Sequence, residues 1–291
     1  MGKTRRRWGD RKDGTLLRDL DSMHYIVPLI HPNRCDNEAY ISETVDLTAI
    51  QEYLARKNAE GTDFPYTMFH LIVAALLRTI TLRPQLNRFI ANRNMYQRNH
   101  LSASFVVKKQ FSDTGAEGLA FLYAKGTDNV DTVHEMIRRQ VQDARRGGSD
   151  GSTDSMDLFN KMPRFVSRFI VDIIRVLDVH GRVPKGLIAS DPYYSSVILS
   201  NLGSIKLKCG YHHLTNWGTN SIFVIIGEKR MAPVYDGAGQ MTMRPVVDLG
   251  LTVDERLADG YYYSKSIRLL KHLLQHPELL EQPMEQEIDY E

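Results

Sequence analysis

At 291 residues, 42% apolar and 25% charged, the chain has the size and composition of a globular protein with one large domain or two small ones. A formal net charge of +2 is too small to imply the basic footprint of a nucleic-acid binder, and no nucleic-acid partner is expected. The two cysteines, Cys35 and Cys209, stand far apart outside any C-x-x-C pattern and support neither a disulfide framework nor a metal site.

The chain opens with a basic cluster, Arg5, Arg6, Arg7, Arg11 and Lys12, which reads as a solvated arm over residues 1–23. No apolar signal segment follows it, and no run approaches the roughly 20 residues that span a bilayer. A cytoplasmic protein with no integral membrane segment is the expectation. His24 to Ile30 and Ala39 to Val45 read as strands, with Pro32 and Asn33 turning between them. Thr48 to Lys57 reads as a helix, and a second helix is expected from Pro65, buried on most of its surface across Phe69 to Leu77. His70 in that helix reads as a packed histidine, because it has no spaced partner.

Leu101 to Lys108 and Leu119 to Ala124 suit strands, and Val130 to Arg146 follows helical spacing. Gly147 to Ser155 is a Gly/Ser/Asp loop. Between Pro163 and His180 the polar residues Arg164, Arg168, Asp172 and Arg175 form one narrow helical stripe on an otherwise apolar helix. Such a helix is expected in a core or an oligomer contact, with a membrane-surface or hydrophobic-substrate role as the lesser reading. Tyr193 to Ser200, Ile222 to Ile226 and Met241 to Val253 are strand-like. A last helix runs from about Asp259 to Gln275, and residues 277–291 form an acidic tail. Strands and helices mix without regular alternation, which predicts an α+β fold, a mixed sheet covered by helices over residues 24–276.

The segment Asp254-Glu255-Arg256-Leu257-Ala258-Asp259-Gly260 joins an apolar strand to the last helix, with Asp259 placed to cap that helix and Gly260 to allow a tight turn. By itself it is a capped surface turn with an Arg–Asp pair. It resembles, however, the D-H-R-x-x-D-G signature of dihydrolipoyl acyltransferase catalytic domains and the H-H-x-x-x-D-G signature of chloramphenicol acetyltransferases. Asp254, Arg256, Asp259 and Gly260 match, and Glu255 stands at the histidine position. Ser200-Asn201-Leu202-Gly203 is similar to the S-N-L-G strand end of the same family. Phe223 to Gly227 resembles its intervening strand, and Arg83-Pro84-Gln85-Leu86-Asn87 its early turn.

The resemblance implies an α/β sandwich of the chloramphenicol acetyltransferase type, assembled as a homotrimer with active sites between subunits. It implies coenzyme A or acyl-coenzyme A as co-substrate. Glu255 falls at the general-base position and Ser200 at the oxyanion donor, while Asp259 is the aspartate that holds the loop by pairing with an arginine, for which Arg11 is the candidate. Asp254, Arg256, Gly260 and Asn201 support the site. His212-His213-Leu214-Thr215-Asn216-Trp217-Gly218 imitates the signature in the wrong place, before the Ile222 strand; His213 reads as a loop histidine near the channel. No lipoyl domain is expected within the chain, so the acceptor is a small molecule or a lipoyl group on another chain.

Glutamate is a demanding substitute. An ordinary glutamate, near 4.3, lies roughly 4 pKa units below a thiol, or about 5.5 kcal/mol of unfavourable proton transfer. Burial or neighbouring carboxylates would have to raise it. Two readings therefore stay open: an acyltransferase that uses Glu255, and a non-catalytic relative that keeps the fold and the coenzyme A channel.

Overall fold

A computed structural model describes residues 7–108, 117–145 and 160–290. The stretch 147–155 lies outside these residues. The main sheet has seven strands, of which six run in the order β2 (Glu38–Asp46), β10 (Met241–Asp254), β8 (Ile222–Ile226), β7 (Val197–Asn201), β5 (Leu101–Lys108) and β6 (Glu117–Ala124). The seventh, β9 (Arg230–Tyr235), pairs with the first half of β10. Strand β7 is parallel to both β5 and β8, and all other pairs are antiparallel, so the sheet is mixed.

Alternation along the strands turns Val247, Leu249, Leu251 and Val253 of β10 toward one face. Four helices cover that face: α2 (Thr48–Lys57), α3 (Met68–Leu82), α4 (Val130–Arg145) and, in the chain's last third, a helix over Gly260–Gln275. Twelve of the residues of α3 are buried, from Met68 to Ile80, so this helix is the core of the helical layer. It starts later than the Pro65 expected from the sequence. Thr67 is its N-cap, and the buried ring of His70 accepts the Thr67 backbone N–H through Nδ1 at 2.9 Å. That reciprocal cap satisfies a helix-end donor with an imidazole where a Glu or Gln is usual. The α+β sandwich expected from the sequence is the observed architecture.

Three expectations are corrected. His24 to Ile30 is not a strand but the helix α1 (Ser22–Ile30), because the Asp21 carboxylate accepts the backbone N–H groups of Met23 and His24 and so starts a helical turn. A short apolar run carries no period that separates helix from strand. Tyr193 and Tyr194 lie in a tight turn that precedes β7. The amphipathic segment forms α5 (Arg164–Val179) and buries none of its residues in this chain, contrary to a core position. It rests on the body through Ile174 and Leu177, which pack on Val183, Ile188 and Tyr194. A short α6 (Lys185–Ser190) follows, and the Gly260–Gln275 helix is α7.

A small sheet of β1 (Gly14–Leu16), β4 (Asn94–Arg98) and β3 (Arg88–Ala91) draws part of the basic arm into the body. Arg11 and Asp13 are buried there and form an ion pair at 2.8 Å. At the other terminus Leu280 and Met284 are buried, and Arg78 bonds to the carbonyls of Leu279 and Gln286. Residues of the acidic C-terminal stretch thus pack on the helical layer.

Candidate active site

Strand β10 ends at Asp254, whose side chain is fully buried and holds the following turn. Arg256 folds back on it as a fork, Nε to Oδ1 at 2.7 Å and Nη2 to Oδ2 at 2.6 Å. The remaining Arg256 nitrogen, Nη1, donates to the His31 carbonyl at 2.7 Å and ties the turn to the end of α1. Arg34 approaches the same carboxylate, with Nε 3.8 Å from Oδ2. Its other nitrogens donate to the carbonyls of Thr215, Gly218 and Ile90. Burial pulls the Arg34 guanidinium below its usual range, and the Asp254 charge opposes that shift. The Tyr263 hydroxyl donates to the Asp254 carbonyl at 2.7 Å, and burial keeps this phenol protonated. Leu257 packs on Ile90 and Met95 beneath the turn.

Every residue from Asp254 to Ala258 is buried except Glu255, which points to solvent. Its backbone N–H donates to the Asn37 carbonyl at 3.0 Å. Among the described residues no side chain bonds to its carboxylate. Asp259 caps α7 by accepting the Tyr262 N–H at 2.7 Å, so its carboxylate serves the helix end. Arg11 is not its partner. That guanidinium is committed to Asp13 and, at 2.9 Å, to Asp178, which together hold its proton more tightly despite burial.

Ser200 and Asn201 close β7 on the far side of the sheet. The Asn201 side chain accepts the Ser204 N–H at 3.3 Å and shapes the tight turn that follows. A side chain on Gly203 would collide with the Gly227 carbonyl, so glycine is required in this strand end. Ser200 pairs with Ile225 of β8, and Ile225 in turn with Gly250 of β10. Glu255 follows the end of the antiparallel β10, five residues beyond Gly250. That is about 16 Å along the strand and about 10 Å across two strand spacings, roughly 19 Å in all. Within one chain the serine and the glutamate therefore sit at opposite ends of the sheet.

The loop before β8 crosses the second sheet face between these ends. Cys209 lies over Ile225, near Ser200, and a side chain on Gly250 would collide with the Gly210 carbonyl. Further on, the His212 ring stacks on Phe223 at 4.3 Å and on His213 at 4.5 Å. The Leu214 N–H then donates to Glu38, the register partner of Asp254. His213 is exposed on this loop. Sequence reasoning missed Arg34, Asn37 and Tyr263. Each acts on the turn from another element through a single contact, and no local spacing marks it. Among the described residues no group of histidine, cysteine and carboxylate side chains could hold a metal ion.

Residues 179–281 match the family model described as 2-oxoacid dehydrogenases acyltransferase (catalytic domain), a range that contains both Ser200 and Glu255. A comparison with curated proteins finds no match. Among solved structures the chain is similar to dihydrolipoamide acetyltransferase (E2p) of Azotobacter vinelandii, at 14% identity and a TM-score of 0.61, over 91% of this chain and 94% of that one. It is similar to a probable dihydrolipoamide acetyltransferase of Listeria monocytogenes, at 13% identity and a TM-score of 0.60, over 90% and 95%. A chloramphenicol acetyltransferase aligns at 12% identity and a TM-score of 0.52, over 90% and 98%. The chain has the chloramphenicol acetyltransferase-like fold, and its residues 179–281 match the catalytic-domain family of the 2-oxoacid dehydrogenase acyltransferases.

Proposed function

We propose that the protein is an acyltransferase that moves an acyl group from coenzyme A thioester to a thiol, hydroxyl or amine acceptor, working as a homotrimer. The observation that carries this reading is the placement of Ser200 and Glu255 at opposite ends of one sheet. Residues whose backbones lie roughly 19 Å apart cannot bring their side chains to one carbonyl. A ring of head-to-tail subunits brings the Glu255 end of one copy to the Ser200 end of the next. In that interface the Glu255 carboxylate takes the proton of the acceptor as it attacks the thioester carbonyl. The Ser200 hydroxyl donates to the oxyanion that forms, and collapse expels the coenzyme A thiolate, to which the proton passes. Burial between subunits would supply the upward pKa shift that a glutamate base needs.

A second reading, a non-catalytic trimer that keeps the fold, is favoured by one observation. No side chain among the described residues orients the Glu255 carboxylate in the single chain. The deciding experiment follows thioester loss from acetyl-coenzyme A with thiol, hydroxyl and amine acceptors. Under the first reading Glu255→Gln lowers turnover by about 10²–10⁴-fold and Ser200→Ala by about 10²–10³-fold. Turnover that appears only in Glu255→His would establish the second.

A further inference from the structure

We infer that α5 docks the protein on an anionic bilayer surface, its aromatic face entering the lipid and its arginine stripe meeting lipid phosphates. The helix shows two parallel stripes. Phe165, Phe169, Ile173 and Val176 recur at helical spacing and are all exposed, Phe165 at 76% and Phe169 at 66%. Arg164, Arg168, Asp172 and Arg175 repeat the same spacing one residue earlier, which sets them about 100° around the helix axis. A helix lying in an interface has this arrangement, with apolar side chains pointing into the acyl region while arginines reach sideways to headgroups.

The three arginines of the stripe outnumber its one carboxylate, Asp172. Among the described residues no carboxylate lies within ion-pair distance of Arg164, Arg168 or Arg175. They line an open groove of about 790 Å³ with Asn160, Ser167 and one carboxylate, Asp172, so that three cations outweigh a single anion around a space wide enough for a phosphate headgroup. Arg182 and Lys161 extend the positive charge beyond both helix ends. A symmetric contact with α5 of a second copy is disfavoured, because it would bring together two rows that each carry three arginines to one aspartate. Helix α1 supplies the contrast. It also exposes an apolar face, with Met23 at 67% and Tyr25 at 65%, but carries no lysine or arginine and adjoins the Glu255 turn. An uncharged apolar face beside an incomplete site suits a subunit, whereas a cation-edged one suits anionic lipid. Docking of this kind needs no spanning helix, and no helix among the described residues is long and apolar enough to cross a membrane.

The test sediments the full chain with vesicles of phosphatidylcholine alone or with about 30% phosphatidylglycerol. The wild type is expected to bind the anionic vesicles and to bind the neutral ones far more weakly. Arg164→Gln/Arg168→Gln/Arg175→Gln should lower that binding on the order of a hundredfold. Phe165→Ser/Phe169→Ser should abolish it while far-ultraviolet thermal melts stay unchanged. A Phe165→Trp reporter should shift its emission to the blue on anionic vesicles. Absence of binding together with an unshifted reporter overturns the inference, as does equal binding to both vesicle types. Dissociation of the oligomer in the double phenylalanine variant, read by sedimentation velocity, would assign the face to a subunit contact and overturn it as well.

Discussion

If Ser200 of one copy works with Glu255 of the next, two inactive variants must rescue each other. Ser200→Ala keeps its glutamate, and Glu255→Gln keeps its serine. Each interface of a ring contributes one serine from one side and one glutamate from the other. In chains assembled at random from an equal mixture, the serine is intact at half the interfaces and the glutamate, independently, at half. About a quarter of the interfaces then hold both, so activity should return to about a quarter of the wild-type level from parents reduced by at least about a hundredfold. The assay co-expresses the two variants with different tags, isolates doubly tagged oligomers and follows thioester loss. Selecting the mixed oligomers removes the pure ones and raises the expected value to about a third. The geometry demands this outcome because strand register holds the two residues roughly 19 Å apart in one chain. Mixed oligomers no more active than their parents, beside an active wild type, would refute the shared site.

Two further outcomes test the turn and the helical layer. Asp254→Ala leaves the buried guanidiniums of Arg256 and Arg34 without their carboxylate and should cost about 3–5 kcal/mol, whereas Glu255→Ala should stay within about 0.5 kcal/mol. Urea unfolding at neutral pH measures both, and equal costs would contradict the division of labour in the turn. His70 is held at about 4 by burial, with His134 adding to the effect. The unfolded chain binds the proton near 6.5, so the stability this group contributes is complete above about 6.5 and is lost as pH falls toward 4. Between pH 7.5 and 4.5 the loss from this group is about 2.5 kcal/mol. His70→Asn, which keeps an acceptor for the Thr67 N–H, should lack that part of the pH dependence in urea titrations at the two pH values. An unchanged slope would contradict it.

Much of the fold was legible because its signals are local and periodic. The bounds of α2 and β8, and the Asp259 cap of α7, stand where apolar spacing and capping chemistry put them. Helix α1 was not legible as a helix, because the seven-residue run from His24 to Ile30, broken by Pro28, gives no period, and the decisive signal, the Asp21 cap, lies outside the run. The turn at Glu255 was found through its motif, but the residues that hold it were not. Arg34 follows a Pro-Asn turn with nothing to distinguish it from a surface arginine, and its reach to Asp254 exists only after α1 and β10 are brought together. The partners of Arg11 are hidden in the sequence for the same reason. Its partners, Asp13 two residues away and Asp178 on α5, are products of the small sheet and the α5 docking.

The Asp254 turn separates holding from doing. One buried carboxylate, through Arg256 and Arg34, fastens the end of α1, the 215–218 loop and the strand end into a single joint, and the side chain between Asp254 and Arg256 takes no part in it. Position 255 is therefore an interchangeable socket: histidine, glutamate or an inert residue can occupy it with the same backbone beneath. If position 255 carries the base, as proposed, the chemistry on such a joint can change by one codon while the architecture stays fixed, and activity can be gained or surrendered without a folding defect to select against either.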